Sequence, residues 1–123
     1  MPEIRSGSAQ GLEENLKKAV AEMLVLSLLS REDMHAPQII RSLEEESGRA
    51  LTMTSPYMLL YRLIEKEYIL EAYKKIAPDG RRRQYYQITE EGRGYLEALK
   101  AVYRRVSAGV EQLLERGTEP DGQ

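Results

Sequence analysis

Two runs of β-branched and aromatic residues, separated by the turn sequence Pro78-Asp79-Gly80, constrain the fold of this chain more than any other feature. The first run spans residues 68–76 and the second spans residues 83–88. Such a pair around a proline-glycine turn predicts a β-hairpin. A chain of 123 residues is the size of one domain, so the hairpin must pack with whatever precedes and follows it.

The residues before the hairpin have the periodicity of helices. Apolar residues recur at helical spacing from Leu12 and then occupy every side of the helix as far as Leu29. Pro37 suits the first turn of a second helix, because its missing N–H is not needed there, and Gly48 predicts the end of that helix.

A third helix is predicted just before the hairpin and a fourth just after it. The sequence Thr54-Ser55-Pro56 predicts a helix start with a hydroxyl cap, and the helix should reach about Glu67. The preceding Leu51 and Thr52 indicate either a linker or one short strand pair. Thr89 is expected to cap the last helix, which runs through residue 116.

The order of these elements is that of a winged helix-turn-helix domain followed by a long C-terminal dimerisation helix, a mainly α (α+β) fold. We expect a flexible N-terminus at residues 1–11 and the winged domain, with its N-terminal helix, at residues 12–88. The dimerisation helix should span residues 89–116, and a disordered tail should span residues 117–123.

Composition removes most enzymatic chemistry. The chain has no cysteine and one histidine, His35, which excludes disulfides, thiolate metal sites, a thiol nucleophile and a two-histidine metal site. A turn or capping role for His35 is the simpler interpretation. We therefore predict a protein that is not an enzyme and has no metal or other cofactor.

With no membrane-spanning run and no secretory signal in the sequence, we expect a cytoplasmic protein without a membrane partner.

The hairpin tip concentrates positive charge in a chain whose net charge is -2. Between Tyr73 and Tyr86 the sequence has five cationic residues and one acidic residue, Asp79, so the net charge of this segment is +4. Such a wing can place cations on the phosphates of double-stranded DNA or in its minor groove. A solvated loop that protects a sheet edge from aggregation is the alternative, but the preceding helix order favours DNA. The candidate wing residues are Lys74, Lys75, Arg81, Arg82 and Arg83.

The third helix has one face for packing and one free face. Leu60, Leu63 and Ile64 share the packing face, and the N-terminal part of the other face is the part that meets base edges in a helix-turn-helix. Arg62 is the strongest candidate because arginine can bind guanine through two hydrogen bonds. A partly buried packing position is an equal alternative for Tyr61. The candidate readers are Thr54, Ser55, Tyr57, Met58, Tyr61 and Arg62.

Apolar residues recur along the last helix at alternating spacings of three and four, which is typical of a coiled-coil seam. A small winged domain cannot cover a seam of this length, so we expect a homodimer, with packing back onto the same domain as the alternative. A dimer would present two reading helices to a pseudo-palindromic operator. The seam consists of Leu96, Leu99, Tyr103, Val106, Val110 and Leu113.

Four segments carry a resemblance to a known family: AEMLVLSLL at residues 21–29, MHAPQIIRSLEEESG at residues 34–48, SPYMLLYRLIEKEYI at residues 55–69 and GRRRQYYQITEEGRGYL at residues 80–96. They are similar to the PadR family of bacterial transcriptional regulators, and the last segment is the most specific. The length is similar to that of the family's short-chain branch, which has a single C-terminal dimerisation helix. The resemblance implies a homodimeric repressor that a small aromatic or lipophilic effector releases from DNA.

The resemblance also extends to single residues. Tyr57, Leu60 and Leu63 match the family's recognition-helix pattern, and residues 80–83 with Tyr85 and Tyr86 match its wing. The chain departs from the family where the usual His-Gly-Tyr-Glu is replaced by the His-Ala-Pro-Gln of residues 35–38. It also has Thr54 and Glu67 where glycine is usual; a left-handed backbone at Glu67 would cost about 1 kcal/mol or more.

Related short members hold ligands at the dimer centre between the first and last helices. The residues here that match such a space are equally explained as dimer core. The resemblance also leaves a second function open, a winged-helix module for protein interaction or ligand sensing without specific DNA binding, in keeping with the acidic net charge. The candidate effector residues are Leu16, Val20, Tyr95, Leu99 and Tyr103.

Overall fold

A computed structural model of the protein describes residues 7–118. Three helices precede a β-hairpin, and a long helix follows it, which confirms the winged helix-turn-helix arrangement predicted from the sequence. None of the helices within residues 7–118 has the length and apolar character needed to cross a bilayer. The elements are α1 (Ala9–Arg31), β1 (Met34–His35), α2 (Ala36–Glu46), α3 (Tyr57–Glu65), β2 (Ile69–Ile76), β3 (Arg82–Ile88) and α4 (Glu90–Thr118).

Both terminal helices extend further than the sequence pattern predicts. Residues 9–11, expected in a flexible N-terminus, are helical because the Ser8 side chain accepts a hydrogen bond from the Gly11 amide at 3.0 Å and caps α1. Helix α4 includes residues 117 and 118, which were expected in the disordered tail. A single glycine lowers helix propensity by only about 1 kcal/mol, so it need not end a helix that is already long. The remaining expected termini, residues 1–6 and 119–123, lie outside the described residues.

The sheet has three antiparallel strands in the order β1-β3-β2. Strands β2 and β3 form the predicted hairpin. Strand β1 pairs Met34 with Tyr86 and His35 with Tyr85. This strand was not predicted, because two residues are too few to show the alternation of a strand. Leu51 and Thr52 lie in the connection between α2 and α3, so the linker alternative is the correct one for them.

Helix α2 begins with a reciprocal cap that involves the single histidine. The His35 imidazole accepts a hydrogen bond from the Gln38 amide through Nδ1 at 3.3 Å, and the Gln38 side chain accepts one from the His35 amide at 3.4 Å. Pro37 lies in the first turn, as predicted, and the chain leaves the helix through positive φ angles of 63° at Gly48 and 72° at Arg49. The capping role predicted for His35 is therefore confirmed.

Helix α3 is shorter than predicted at both ends. It begins at Tyr57 with Pro56 as N-cap and has no side-chain capping bond, so the predicted hydroxyl cap from Thr54 or Ser55 is wrong. Proline fixes the backbone there, and its carbonyl accepts from the Leu60 amide at 2.8 Å. After α3 ends, Glu67 adopts a left-handed φ of 63°, the conformation for which the family usually has glycine.

The core lies where α1 crosses the other elements. In the second half of α1, Val25, Leu26, Leu28 and Leu29 are buried against α2, α3 and the hairpin. Met23 and Leu24 are only partly buried, so the all-round burial expected from the apolar sequence is wrong for that side of the helix. The most deeply buried residues of the core as a whole are Val25, Leu26, Leu29, Met34, Ile39, Leu60, Leu63 and Ile69. This packing leaves the outer face of α3 at the surface.

A tight junction joins the end of α3 to the start of α4. The Thr89 hydroxyl accepts a hydrogen bond from the Gly92 amide at 3.0 Å, which confirms the predicted cap, and donates one to the Glu67 carbonyl at 2.7 Å. The Thr89 amide donates to the Tyr68 carbonyl at 3.0 Å. Gly92 lies against this same carbonyl, with no room for a Cβ atom. The orientation of α3 is thus tied to that of α4.

Candidate nucleic-acid interface

The outer face of α3 exposes large side chains close to its N-terminus. Met58 is 73% exposed, Tyr61 is 58% exposed and Tyr57 is 45% exposed, whereas Leu60 and Leu63 are buried. This exposure disfavours the alternative of a partly buried packing position for Tyr61. Three large apolar or aromatic side chains on one surface helix need a partner, and the methyl groups and edges of bases in a major groove can provide one.

The remaining residues predicted to contact bases lie at different places relative to α3. Thr54 and Ser55 are exposed but precede α3 instead of lying on it, because the helix begins at Tyr57. Arg62 lies on the exposed face, and its Nε is 3.9 Å from a carboxylate oxygen of Glu22 on α1. Glu22 was not singled out in the sequence, because forty residues separate it from Arg62 and no local pattern connects them.

The wing turn uses one of its arginines to hold its own shape. The guanidinium of Arg83 donates two hydrogen bonds to Asp79, at 2.7 Å and 3.2 Å, and the Arg81 amide donates to the same carboxylate at 3.0 Å. These contacts hold the pKa of Asp79 below its ordinary value. Gly80 completes the turn with a φ of 85°. The Arg83 guanidinium is therefore paired within the wing itself.

A second wing cation is held by aromatic rings. The Lys75 ammonium lies 4.8 Å from the centre of the Tyr85 ring and 5.6 Å from that of Tyr73. The two tyrosines stack with ring centres 5.3 Å apart, and the Tyr73 hydroxyl donates to Asp33 at 2.8 Å. Tyr85 and Tyr86, which match the wing of the family, are buried and brace the hairpin from inside.

Three wing cations remain available to a ligand. Lys74, Arg81 and Arg82 are exposed and form no ion pair with any residue in the described range 7–118. Because Arg83 and Asp79 cancel each other and Lys75 is restrained, these three carry the part of the local charge that can reach a phosphate.

The structure brings the wing, α2 and α3 to one surface groove. This groove has a volume of about 180 Å³ and is lined by the start of α2, by Tyr57 of α3 and by Arg82 on the wing. His35 is one of its lining residues, and burial first and the charge of Arg83 second lower the imidazole pKa, which favours the neutral ring at pH 7. The lining residues are His35, Ala36, Pro37, Tyr57, Arg82, Arg83, Gln84 and Tyr86.

The predicted seam on α4 divides into a buried part and an exposed part. Leu96 is 2% exposed and belongs to the core of its own chain, so its predicted place in a dimer seam is wrong, and Leu99 packs partly against that core. Heptad spacing identifies a face of a helix but not the element that covers it. The exposed part comprises Tyr103, Val106, Val110 and Leu113, and Val102 and Leu114 beside them are also exposed.

An apolar groove of about 470 Å³ runs along the first half of α1. Three of the candidate effector residues, Leu16, Val20 and Tyr103, line it together with Leu12 and Met23. Tyr95 and Leu99, the other two candidate effector residues, do not line this groove.

Tyr95 instead links α4 to α1 and to the connection that follows α3. Its ring stacks on Tyr68 with centres 4.2 Å apart, and its hydroxyl donates to Glu22 Oε1 at 2.8 Å. This hydrogen bond, with burial and the charge of Glu22, raises the pKa of Tyr95 to about 12. A phenol that must stay protonated is suited to orienting a carboxylate, not to proton transfer at neutral pH.

Nothing in this surface resembles a metal centre. Across residues 7–118, no three His, Asp or Glu side chains converge as metal ligands would. The geometry is that of a binding surface, in which a helix end and a cationic hairpin flank a groove.

Comparison with known proteins agrees with this geometry. Residues 25–98 match the model of the transcriptional regulator PadR-like family. A PadR-like transcriptional regulator from Bacillus cereus is 30% identical, with a TM-score of 0.69 over 81% of this chain and 96% of that one. A PadR family regulator from Clostridium difficile is 28% identical, with a TM-score of 0.66 over 77% and 98% of the two chains.

A PadR family transcriptional regulator from Eggerthella lenta is also similar, at 28% identity and a TM-score of 0.68 over 85% of this chain and 87% of that one. The family match covers both structural features that define the surface, α3 and the wing, together with the junction at Gly92. On these grounds the chain belongs to the PadR-like family of transcriptional regulators.

Proposed function

We propose that this protein is a homodimeric transcriptional repressor that binds a pseudo-palindromic DNA operator and is released by a small aromatic or lipophilic effector. One observation carries the proposal: Tyr57 at the start of α3 and Arg82 on the wing line the same groove. A helix end that reaches base edges therefore lies beside a hairpin that reaches phosphates, which is how winged helix-turn-helix domains bind DNA.

The exposed residues of α3 suit base readout. Met58, Tyr57 and Tyr61 offer apolar and aromatic surface, which favours contact with thymine methyl groups. Arg62 offers the one guanidinium on α3, and guanine is its preferred base. Thr54 and Ser55, just before the helix, are placed for phosphate or base contacts through their hydroxyls.

The wing supports affinity more than specificity. Arg81, Arg82 and Lys74 are exposed cations on a hairpin, and each phosphate that such a cation neutralises releases counterions from DNA. We expect Arg83 to act indirectly, because its pairing with Asp79 shapes the turn that presents Arg81 and Arg82.

A salt series on charge-matched variants tests the DNA proposal. Replacing Arg81 and Arg82 by alanine should make the slope of log affinity against log salt less negative by about 1.8, since each phosphate contact contributes about 0.9. The control replaces Arg104 and Arg105, exposed arginines of α4, and makes the same change in net charge. Fluorescence anisotropy on DNA from the protein's own upstream region provides the measurement.

The control double variant should keep the wild-type slope. Equal effects of the two double variants would show that net charge alone attracts the protein to DNA and would contradict a role for the wing. Absence of any salt-linked DNA affinity in the wild type would instead favour the second function, a winged-helix interaction or ligand-sensing module.

The exposed stripe on α4 supports the homodimer. Val106 is 55% exposed and Leu113 is 72% exposed on a helix that projects past the core of its own domain. A second copy of the same stripe is self-complementary in a two-fold dimer. We expect Val110→Asp to produce monomers in sedimentation velocity, whereas Ala108→Asp on the opposite face should leave the dimer intact. Dimers of Val110→Asp at wild-type affinity would contradict this interface.

The apolar groove along α1 supports the effector proposal. Leu16, Val20 and Tyr103 give it an apolar lining, and tyrosine supplies the aromatic surface in a chain without tryptophan or phenylalanine. The probe 8-anilinonaphthalene-1-sulfonate should fluoresce on binding and should lower the affinity for upstream DNA.

Leu16→Glu should weaken both effects of the probe, and Leu70→Glu, an exposed apolar position on β2, should not. Probe binding that leaves the DNA affinity unchanged would contradict a regulatory role for the groove.

A further inference from the structure

We propose that Glu22 of α1 is a specificity-determining residue, because it positions the Arg62 guanidinium on the recognition helix, and that Tyr95 of α4 holds Glu22 in that position. The inference rests on the proposed DNA-binding function and extends it to two residues away from the DNA surface. Its basis is one carboxylate shared by side chains from two other helices.

The two oxygens of the Glu22 carboxylate have different partners. Oε1 accepts the hydrogen bond from the Tyr95 hydroxyl at 2.8 Å, and Oε2 lies 3.9 Å from Arg62 Nε. The first contact is short and partly buried, so it determines how the carboxylate is turned. The second contact is longer and closer to solvent, so it guides the arginine without immobilising it.

The exposure of the two charged side chains fits this division. The Glu22 side chain is 32% exposed, and the Arg62 side chain is 58% exposed. An ion pair of this exposure contributes little to folding stability, so stability does not account for it. An arginine at the readout face does need a defined direction, because an unrestrained guanidinium binds any nearby phosphate as readily as a guanine edge.

Tyr95 is itself fixed in place. Its ring stacks on Tyr68 at an interplanar angle of 14°, and the Tyr68 amide closes the end of α3 by donating to the Leu63 carbonyl at 2.9 Å. The hydrogen bond to Glu22, followed by burial, raises the pKa of Tyr95 to about 12, so the phenol remains a donor throughout the physiological range. The direction of Arg62 thus depends on the packing of α1, α3 and α4.

The apolar groove lies next to Glu22 along α1. Val20 and Met23, which flank Glu22 in the sequence, line that groove, and so does Tyr103 of α4. A compound that separates α1 from α4 at the groove would lengthen the Tyr95–Glu22 contact. Arg62 would then lose the carboxylate that orients it, whereas the wing cations would keep their positions. Discrimination between bases would therefore fall before overall affinity.

Two conservative variants in two backgrounds test the inference. Tyr95→Phe keeps the ring stack and removes the donor, and Glu22→Gln keeps the shape of the side chain and removes the charge. Each is measured with Arg62 present and in an Arg62→Ala background, by anisotropy on upstream and scrambled DNA. The control is Glu14→Gln, which makes the same charge change two turns earlier on α1.

With Arg62 present, each variant should lower the ratio of upstream to scrambled affinity about 5-fold, the order of coupling found within one side-chain network. In the Arg62→Ala background, both variants should have no further effect on this ratio. Glu14→Gln should leave the ratio unchanged in either background.

An unchanged ratio in both variants, or the same loss in the Arg62→Ala background, would overturn the inference. If Tyr95→Phe alone does not fold, as judged by circular dichroism, the partly exposed Glu22→Gln decides the result. A wild-type protein that does not discriminate between upstream and scrambled DNA would instead refute the proposed function, and this inference with it.

Discussion

Replacing Gly92 by alanine tests the junction that ties the recognition helix to α4. Gly92 lies in the first turn of α4, and its amide donates to the Thr89 hydroxyl at 3.0 Å. An alanine Cβ at this position would overlap the Tyr68 carbonyl oxygen and would lie 2.8 Å from the Ile88 side chain. The carbonyl cannot simply move away, because it accepts a hydrogen bond from the Thr89 amide at 3.0 Å.

The expected loss follows from two opposing effects. Overlap with a fixed backbone atom is at the upper end of overpacking costs, about 3 kcal/mol. Alanine recovers about 1 kcal/mol of helix propensity relative to glycine, so Gly92→Ala should reduce the free energy of unfolding by about 2 kcal/mol. Gly94, two residues further on, has no atom within 4 Å of an added Cβ. Gly94→Ala should therefore stabilise the protein by up to about 1 kcal/mol.

Urea unfolding followed by circular dichroism at equal protein concentration measures both variants. A separation of about 3 kcal/mol corresponds to midpoints about 1.5 M apart, given a urea dependence of about 2 kcal/mol per molar. Equal concentrations matter because the stability of the proposed dimer would depend on its concentration. A Gly92→Ala variant as stable as Gly94→Ala would show that the Tyr68 carbonyl moves aside at little cost. That result would refute a rigid junction between α3 and α4.

Three further predictions concern the fold that supports the surface. Burial lowers the pKa of His35, so its neutral form stabilises the protein above the ordinary histidine pKa, and this stability is lost as the pH falls through the lowered value. His35→Asn keeps a capping acceptor, so its melting temperature should fall less than that of the wild type between pH 7.5 and pH 5; equal falls would contradict this. Leu60→Ala should cost about 2–5 kcal/mol in urea unfolding because Leu60 is fully buried, whereas Met58→Ala on the exposed face should change stability by less than about 0.5 kcal/mol. Thr89→Ala should cost about 1–2 kcal/mol, and Thr89→Ser should recover most of it if the hydroxyl is the cause.

Most of the fold follows from local sequence signals. Pro78-Asp79-Gly80 marks the hairpin turn, the all-round apolar residues near Leu26 mark the central helix, and Thr89 marks the start of α4. Elements whose formation depends on a distant partner were missed or misplaced. Strand β1 exists because Met34 and His35 pair with β3, and no pattern within two residues can show this.

The same distinction applies to the candidate interface. The charge of the wing could be predicted as a total, but its division among Arg83, Lys75 and the free cations depends on contacts with Asp79 and Tyr85. The α4 seam could be predicted as a stripe, but Leu96 is covered by its own domain. Sequence patterns identify which residues share a face, whereas the partner of that face is decided by tertiary packing.

Binding of the wild-type protein to its own upstream DNA tests the central claim most directly. Anisotropy titrations on the upstream fragment and on a scrambled fragment of the same length should be made at several salt concentrations. Specific recognition by α3, with phosphate contacts from the wing, predicts binding at least about 1,000-fold tighter to the upstream fragment and a steep loss of affinity as salt rises. Equal and weak binding to both fragments would contradict specific recognition by α3 and would leave the wing as a nonspecific phosphate contact.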